Sequence, residues 1–266
     1  MTERYSAIRR DFGPDDLAPH LAATGFDGTV AVQARESLAE TDWLLGLADR
    51  HSIIRAVVGW ADLCDPAVDG ELARIARHPK LAGVRMVIHD QADVDFADSP
   101  AHRRGIAGLA RHGLTYDLLL KPPYMPAAIR LVDRFPDQAF VVDHLAKPDI
   151  AGRNFSPWRE HLAELSRRPR VYAKLSGLVT EADWGRWQPA DLYPYLNIAL
   201  EHFGPERLMI GSDWPVCLCA ARYEAAIGAV ADWMRPLAAG ERAAILGGSA
   251  MRFYRIDPPG ASPAPA

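Results

Sequence analysis

Seven short apolar runs, each followed by a stretch of helical periodicity, set the rhythm of this chain. They are Gly28–Ala34 (GTVAVQA), Ile53–Leu63 (IIRAVVGWADL), Leu81–Ile88 (LAGVRMVI), Leu114–Leu120 (LTYDLLL), Ala139–Leu145 (AFVVDHL), Arg170–Gly177 (RVYAKLSG) and Arg207–Trp214 (RLMIGSDW). The runs are continuous rather than alternating, as expected of strands covered on both faces. They begin 25 to 37 residues apart, the spacing of repeated strand–helix units in a parallel sheet.

The intervening stretches carry helix signals. Pro14 to Gly25 has Leu17 and Leu21 on one face and a glycine where a C-cap belongs. Ser37-Leu38-Ala39-Glu40 is a capping box opening a helix that ends near His51. Asp65-Pro66 starts a helix whose buried stripe is Val68, Leu72 and Ile75. Further helices end at His112-Gly113, run from Met125 to Phe135, from Ser156 to Arg168, and up to Phe203-Gly204. The last ones start near Arg222 and run from Glu241 to Tyr254. The pattern predicts one α/β domain over residues 1–254, a distorted TIM-like (β/α) barrel, followed by a disordered Pro/Ala-rich tail over 255–266. Seven strands are read where eight close such a barrel, so the first strand is expected to be missing.

Composition narrows the function classes. The chain has 266 residues, 49% of them hydrophobic, enough for a large core. A net charge of −4 with basic residues in scattered pairs predicts neither nucleic acid nor an anionic membrane as partner. No apolar run reaches the roughly 20 residues that span a bilayer. MTERYSAIRRDF has no signal-peptide core, and a cytoplasmic protein is expected. Cys64, Cys217 and Cys219 form no CxxC pair and read as packing residues in a reducing compartment. No GxGxxG follows the first run, which argues against dinucleotide binding.

Barrel chemistry sits at the C-terminal ends of strands. Those positions hold Gln33, Trp60, Arg85, Asp117, His144, Lys174 and Asp213. Asp213, presented by a buried strand beside Trp214, suits a general base or a metal ligand. His144 can ligate metal, donate to a carbonyl oxygen or move a proton. Arg85 within an apolar strand needs an anionic or carbonyl partner, either substrate or Asp62 or Glu36. Lys174 has the same requirement. Asp117 reads as facing the helices or a salt bridge. Trp60 and Trp214 can wall a sugar-like ligand, and Trp184 and Trp187 can serve as a lid.

GTVAVQA, AVVGWADL, AKLSG, VVDHLAKP and GSDWPVC resemble, across most of the chain, the sugar-lactonase branch of the amidohydrolase superfamily. The resemblance implies a barrel that opens a lactone ring to a hydroxy acid, acting on a small molecule. It places the branch's strand-eight aspartate on Asp213, its strand-six histidine on His144 and its strand-four arginine on Arg85. The branch opens with a His-x-His strand, and this sequence contains no His-x-His. Positions where relatives carry histidine hold Met86 and Tyr124, and the usual asparagine of the closing helix is Ser249.

One divalent metal such as zinc would therefore have only Asp213 and His144, where catalytic zinc takes three protein ligands. The expected function is lactone hydrolysis with Asp213 as general base. Arg85, Lys174 and His144 are expected to stabilise the oxyanion, and Gln33, Trp60, Tyr124 and Trp214 to contact substrate. The alternative is a non-catalytic barrel that binds a sugar acid or a protein. An incomplete barrel is expected to favour self-association.

Overall fold

A computed structural model describes residues 3–258. All seven expected strands form: β1 Thr29–Val32, β2 Ile54–Gly59, β3 Leu81–Val87, β4 Thr115–Leu119, β5 Phe140–Val142, β6 Val171–Leu175 and β7 Leu208–Ile210. They make one parallel sheet in the order β1-β2-β3-β4-β5-β6-β7, so every strand pairs with its sequence neighbour. Each is shorter than its apolar run, whose remaining residues fall in the loops at either end of the strand. Among the described residues β1 and β7 each have a single strand partner.

The connecting helices are α1 Pro14–Thr24, α2 Leu38–Arg50, α3 Val68–Ile75, α4 Pro100–Leu109, α5 Met125–Arg134 and α6 Trp158–Ser166. The remainder are α7 Leu178–Glu181, α8 Pro189–Phe203, α9 Tyr223–Trp233, α10 Ala239–Ala243 and α11 Ser249–Tyr254. Gly25 adopts φ 76°, the left-handed conformation that ends α1 as its position predicts.

Two helix starts differ from expectation. Ser37 accepts a bond from the Glu40 amide, but the Glu40 carboxylate turns to the amides of Ala34 and Arg35, leaving the capping box half formed. Those loop amides exit β1 with no sheet partner and so compete for the carboxylate. Asp65 caps a turn by accepting from the Ala67 amide, which delays α3 to Val68.

The core has two layers. Between sheet and helices lie Val57, Val84, Tyr116, Leu118, Phe140 and Val142 with Leu72, Leu131, Leu162 and Leu196. On the concave side Ala56, Val58, Ala82, Val141 and Met209 meet Phe253 and Tyr254, so α11 plugs the floor of the curl. His102, fully buried, belongs to the outer layer: its ring bridges the Ala97 carbonyl and the Tyr116 hydroxyl, both at 2.8 Å. Burial pushes that imidazole down to about 4, so it is neutral and structural.

Between β7 and β1, α1 packs on α9 through Leu17, Leu21, Tyr223 and Ile227, reaching Ile210 and Trp214. The chain beyond α11 stays attached at first. Arg55 donates to the Asp257 carbonyl at 3.0 Å, and Arg255 donates to that of Gly113. The rest of the expected tail, 259–266, lies outside the described residues.

Candidate active site

Strand alternation sends Arg85, Asp117 and Lys174 to the concave face, since their neighbours Val84, Met86, Tyr116, Leu118, Ala173 and Leu175 point to the helices. Asp143, just past β5, joins them. The Lys174 Nζ lies 2.5 Å from Asp117 Oδ2 and 2.6 Å from Asp143 Oδ1. The second contact is an ion pair without hydrogen-bond alignment. Arg85 donates to Asp143 Oδ2 at 2.8 Å and to the Gln33 carbonyl. Tyr254 donates to Asp117 Oδ2 at 2.8 Å. These contacts skip strands (β3 to β5, β4 to β6), which only a curled sheet permits.

Two carboxylates and two cations thus form a neutral buried chain. Burial alone would lift the Asp143 carboxyl, but Lys174 and Arg85 outweigh it and hold it well below the carboxylate range. Asp117 is raised, since for it burial wins over Lys174. Lys174 is raised: burial opposes its charge, and Asp117 and Asp143 outweigh burial. The partner of Arg85 is therefore Asp143, neither Asp62 nor Glu36. Asp117 points inward to its salt bridge and not to the helices. Gln33 is fully buried, its amide donating to the Arg85 carbonyl at 3.1 Å while its Oε1 has no protein partner.

Above this floor stand His144 and Asp213. Residues 144–147 all adopt positive φ (52°, 49°, 58° and 52°), and Asp213 does so at 54°. A left-handed non-glycine residue costs roughly 1–2 kcal/mol, and such strain clusters where a side chain must be aimed. The run is held by Trp158, whose Nε1 donates to the Leu145 carbonyl at 2.5 Å, and by Lys147 on Glu181 at 2.8 Å. It brings His144 Nε2 to 3.5 Å from Asp213 Oδ1, while Nδ1 lies 2.7 Å from the Ser176 hydroxyl. Burial lowers the His144 imidazole despite the opposing pull of Asp213 and Asp143.

Gly177 completes the cradle. At φ 65° a Cβ there would fall 2.8 Å from His144 Cγ. Gly177→Ala is expected to lower the unfolding free energy by at least about 1–2 kcal/mol, the left-handed cost alone, read by urea denaturation. An unchanged midpoint would mean that the ring and backbone relax freely.

Around the mouth, Tyr124 donates to the Gln91 carbonyl at 2.8 Å. Trp60 and Trp214 are half-buried, and the indole nitrogen of each is buried without a protein partner. Phe12 packs edge-on against Trp214 at 5.2 Å and Tyr5 against Trp184 at 5.7 Å, so the segment before α1 runs beside the loop expected to act as a lid. Trp187 is tied to the Ala220 carbonyl at 2.9 Å. Cys217 is buried, and burial pushes its thiol up to about 12, in keeping with a packing role.

Four residues here are not among the candidates read from the sequence. Asp143 and Ser176 flank His144 and Lys174 in motifs already singled out, but their role needs the fold. Glu181 closes the turn after β6. His89, two residues past β3, is mostly buried, with Nδ1 3.4 Å from the Leu119 carbonyl. Its imidazole is lowered by burial, with Lys121 and Lys147 adding to the effect and Asp90 opposing it. Taking Arg85 as the polar residue of β3 passes over it; the strand-exit rule applied to VIHDQ would have found it.

The fold is thus a parallel barrel-type sheet with a histidine–aspartate pair at its C-terminal rim, where barrel chemistry sits. The profile of the amidohydrolase family matches residues 1–256, and the chain belongs to that family. It is 40% identical over 265 residues to an L-fucono-1,5-lactonase of Burkholderia ambifaria, covering 97% of this chain and 90% of the relative. A crystal structure of an amidohydrolase from Burkholderia multivorans with bound zinc matches with TM-score 0.92 and 40% identity, over 96% of this chain and 92% of that one. A putative 2-pyrone-4,6-dicarboxylic acid hydrolase from Pseudomonas putida, at 24% identity and TM-score 0.77 over 94% and 92% of the two chains, shares the fold.

Whether this chain's own residues fit zinc can be read from their donors. Among the described residues no group of three or more His, Cys, Asp or Glu is placed to hold a metal ion. His144 and Asp213 supply two donors where catalytic zinc takes three. The described residues do not fit it by themselves. No helix among them is long and apolar enough to cross a membrane.

Proposed function

We propose that this protein hydrolyses a sugar 1,5-lactone, with L-fucono-1,5-lactone the first substrate to test. The observation that carries this reading is the His144–Asp213 pair, aimed into the barrel mouth by left-handed backbone at both residues. The 40% identity to an L-fucono-1,5-lactonase supports the choice of substrate. In the reaction Asp213 takes a proton from water as the oxygen attacks the lactone carbonyl. His144 stands beside the carbonyl oxygen as its charge develops. The ring C–O bond then breaks, the leaving alkoxide takes the proton that Asp213 had accepted, and the product is the open hydroxy acid with Asp213 again a carboxylate.

Arg85 and Lys174 enter this reading differently from His144. Each is already paired with a buried carboxylate, so their charge holds the floor rigid instead of reaching the oxyanion. Trp60, Trp214 and Tyr124 form the walls, and the unpartnered indole N–H groups of the two tryptophans suit sugar hydroxyls. The test is a pH-indicator assay with five- and six-membered sugar lactones. Acid release from L-fucono-1,5-lactone well above the uncatalysed rate is expected. Folded protein giving no release across the panel would overturn the reading and favour a barrel that only binds.

A further inference from the structure

AKLSG places a serine, Ser176, immediately after β6, where nothing in the reaction above uses it. Its hydroxyl lies 2.7 Å from Nδ1 of His144, and the residue is 5% exposed. It is the nearest partner of that nitrogen in the structure, and Gly177 next to it leaves room for the ring.

The imidazole is 7% exposed and faces Asp213, Asp143, Lys147 and Arg85, two carboxylates and two cations, and burial disfavours its charged form. A neutral ring carries one N–H, so one nitrogen donates and the other accepts. Nε2 faces the Asp213 carboxylate at 3.5 Å, and a carboxylate can only accept. A lone pair on Nε2 would meet that negative charge; a proton there is attracted to it. The proton belongs on Nε2. Nδ1 then accepts, and Ser176 must be the donor.

We propose that Ser176 is a positioning residue: its hydroxyl donates to Nδ1 of His144 and holds the ring as the Nε2–H tautomer. The imidazole so held presents a hydrogen-bond donor, not a base, to the barrel mouth. The pair then divides its labour. Asp213 is the only base, and His144 donates to the oxygen on which charge develops. That catalytic consequence rests on the lactone reading; the tautomer does not.

The experiment is ¹⁵N NMR of histidine-labelled protein near neutral pH, with His144 assigned by its loss in His144→Asn. Wild type is expected to show a protonated Nε2 and a hydrogen-bonded, unprotonated Nδ1. In Ser176→Ala the Nδ1 resonance should move and the other tautomer gain population. With substrate, kcat should fall about tenfold, the worth of a hydrogen bond to a buried group, while KM stays within about twofold. Ser176→Cys, which keeps a weak donor of similar size, should recover part of the rate. A proton on Nδ1 in the wild type would overturn the proposal, as would a Ser176→Ala variant with the wild-type tautomer and kcat. The spectrum reads the tautomer without substrate, so a failed lactone assay would refute the proposed function and leave this test standing.

Discussion

Asp213→Asn is expected to lower kcat/KM for lactone opening by about 10²–10⁴-fold, the usual contribution of a general base. The substitution removes basicity while preserving nearly everything else. Asparagine has the same shape and is among the residues that tolerate the left-handed φ of 54° adopted here. Its carbonyl oxygen can still face His144 Nε2. Circular dichroism and the thermal midpoint should therefore match wild type, and the loss should fall on turnover. The check is initial-rate kinetics on L-fucono-1,5-lactone beside both folding measurements. A variant that keeps the wild-type rate would remove Asp213 from the role of base.

Lys174→Met carries the largest expected effect on stability. Methionine fills a similar volume, but Asp117 and Asp143 lose the cation that lies within 2.5 Å and 2.6 Å of them. Removing one partner from a buried ionic cluster costs roughly 3–5 kcal/mol, and urea denaturation at neutral pH should show it.

The pH dependence supplies a second readout, and its sign follows from the two carboxyls. In the wild type Asp143 is held below its unfolded value. Its stabilisation is present above the unfolded carboxylate pKa and is lost as pH falls toward the folded one. Asp117 is raised. Its stabilisation is present below the unfolded value and lost as pH rises through the folded one. Without Lys174 both carboxyls should titrate higher, as buried acids short of a counter-charge do. The gap between variant and wild type should therefore narrow on going from neutral pH toward pH 5. A gap that stays constant would mean that water or Arg85 has replaced the lost cation.

Much of this protein is legible one residue after another. Strand-length apolar runs, helix caps such as Gly25 and the order of elements are local properties, set by sterics and by side-chain periodicity. Burial on both faces of the sheet makes the strands read as continuous apolar runs, which is why all seven are visible. The polar residues at their exits stand out for the same reason: Asp213 and His144 interrupt sequences that are otherwise fit only for a core.

What the sequence determined by itself is therefore the parallel α/β architecture and the pair of residues most worth testing. The tertiary structure alone decided who pairs with whom. Arg85 meets Asp143 across 58 residues and Lys174 meets Asp117 across 57, separations over which no local pattern operates. Nor does composition say that residues 144–147 take left-handed backbone, a run anchored by the Trp158 hydrogen bond to Leu145 and the Lys147–Glu181 pair, both made across the fold. Ser176 is one more serine at a strand exit until the pairing of β6 with β5 brings it to the ring of His144. Local chemistry chooses the elements, and the curl of the sheet chooses the partners, because charge and hydrogen bonding act through distances that only the folded chain defines.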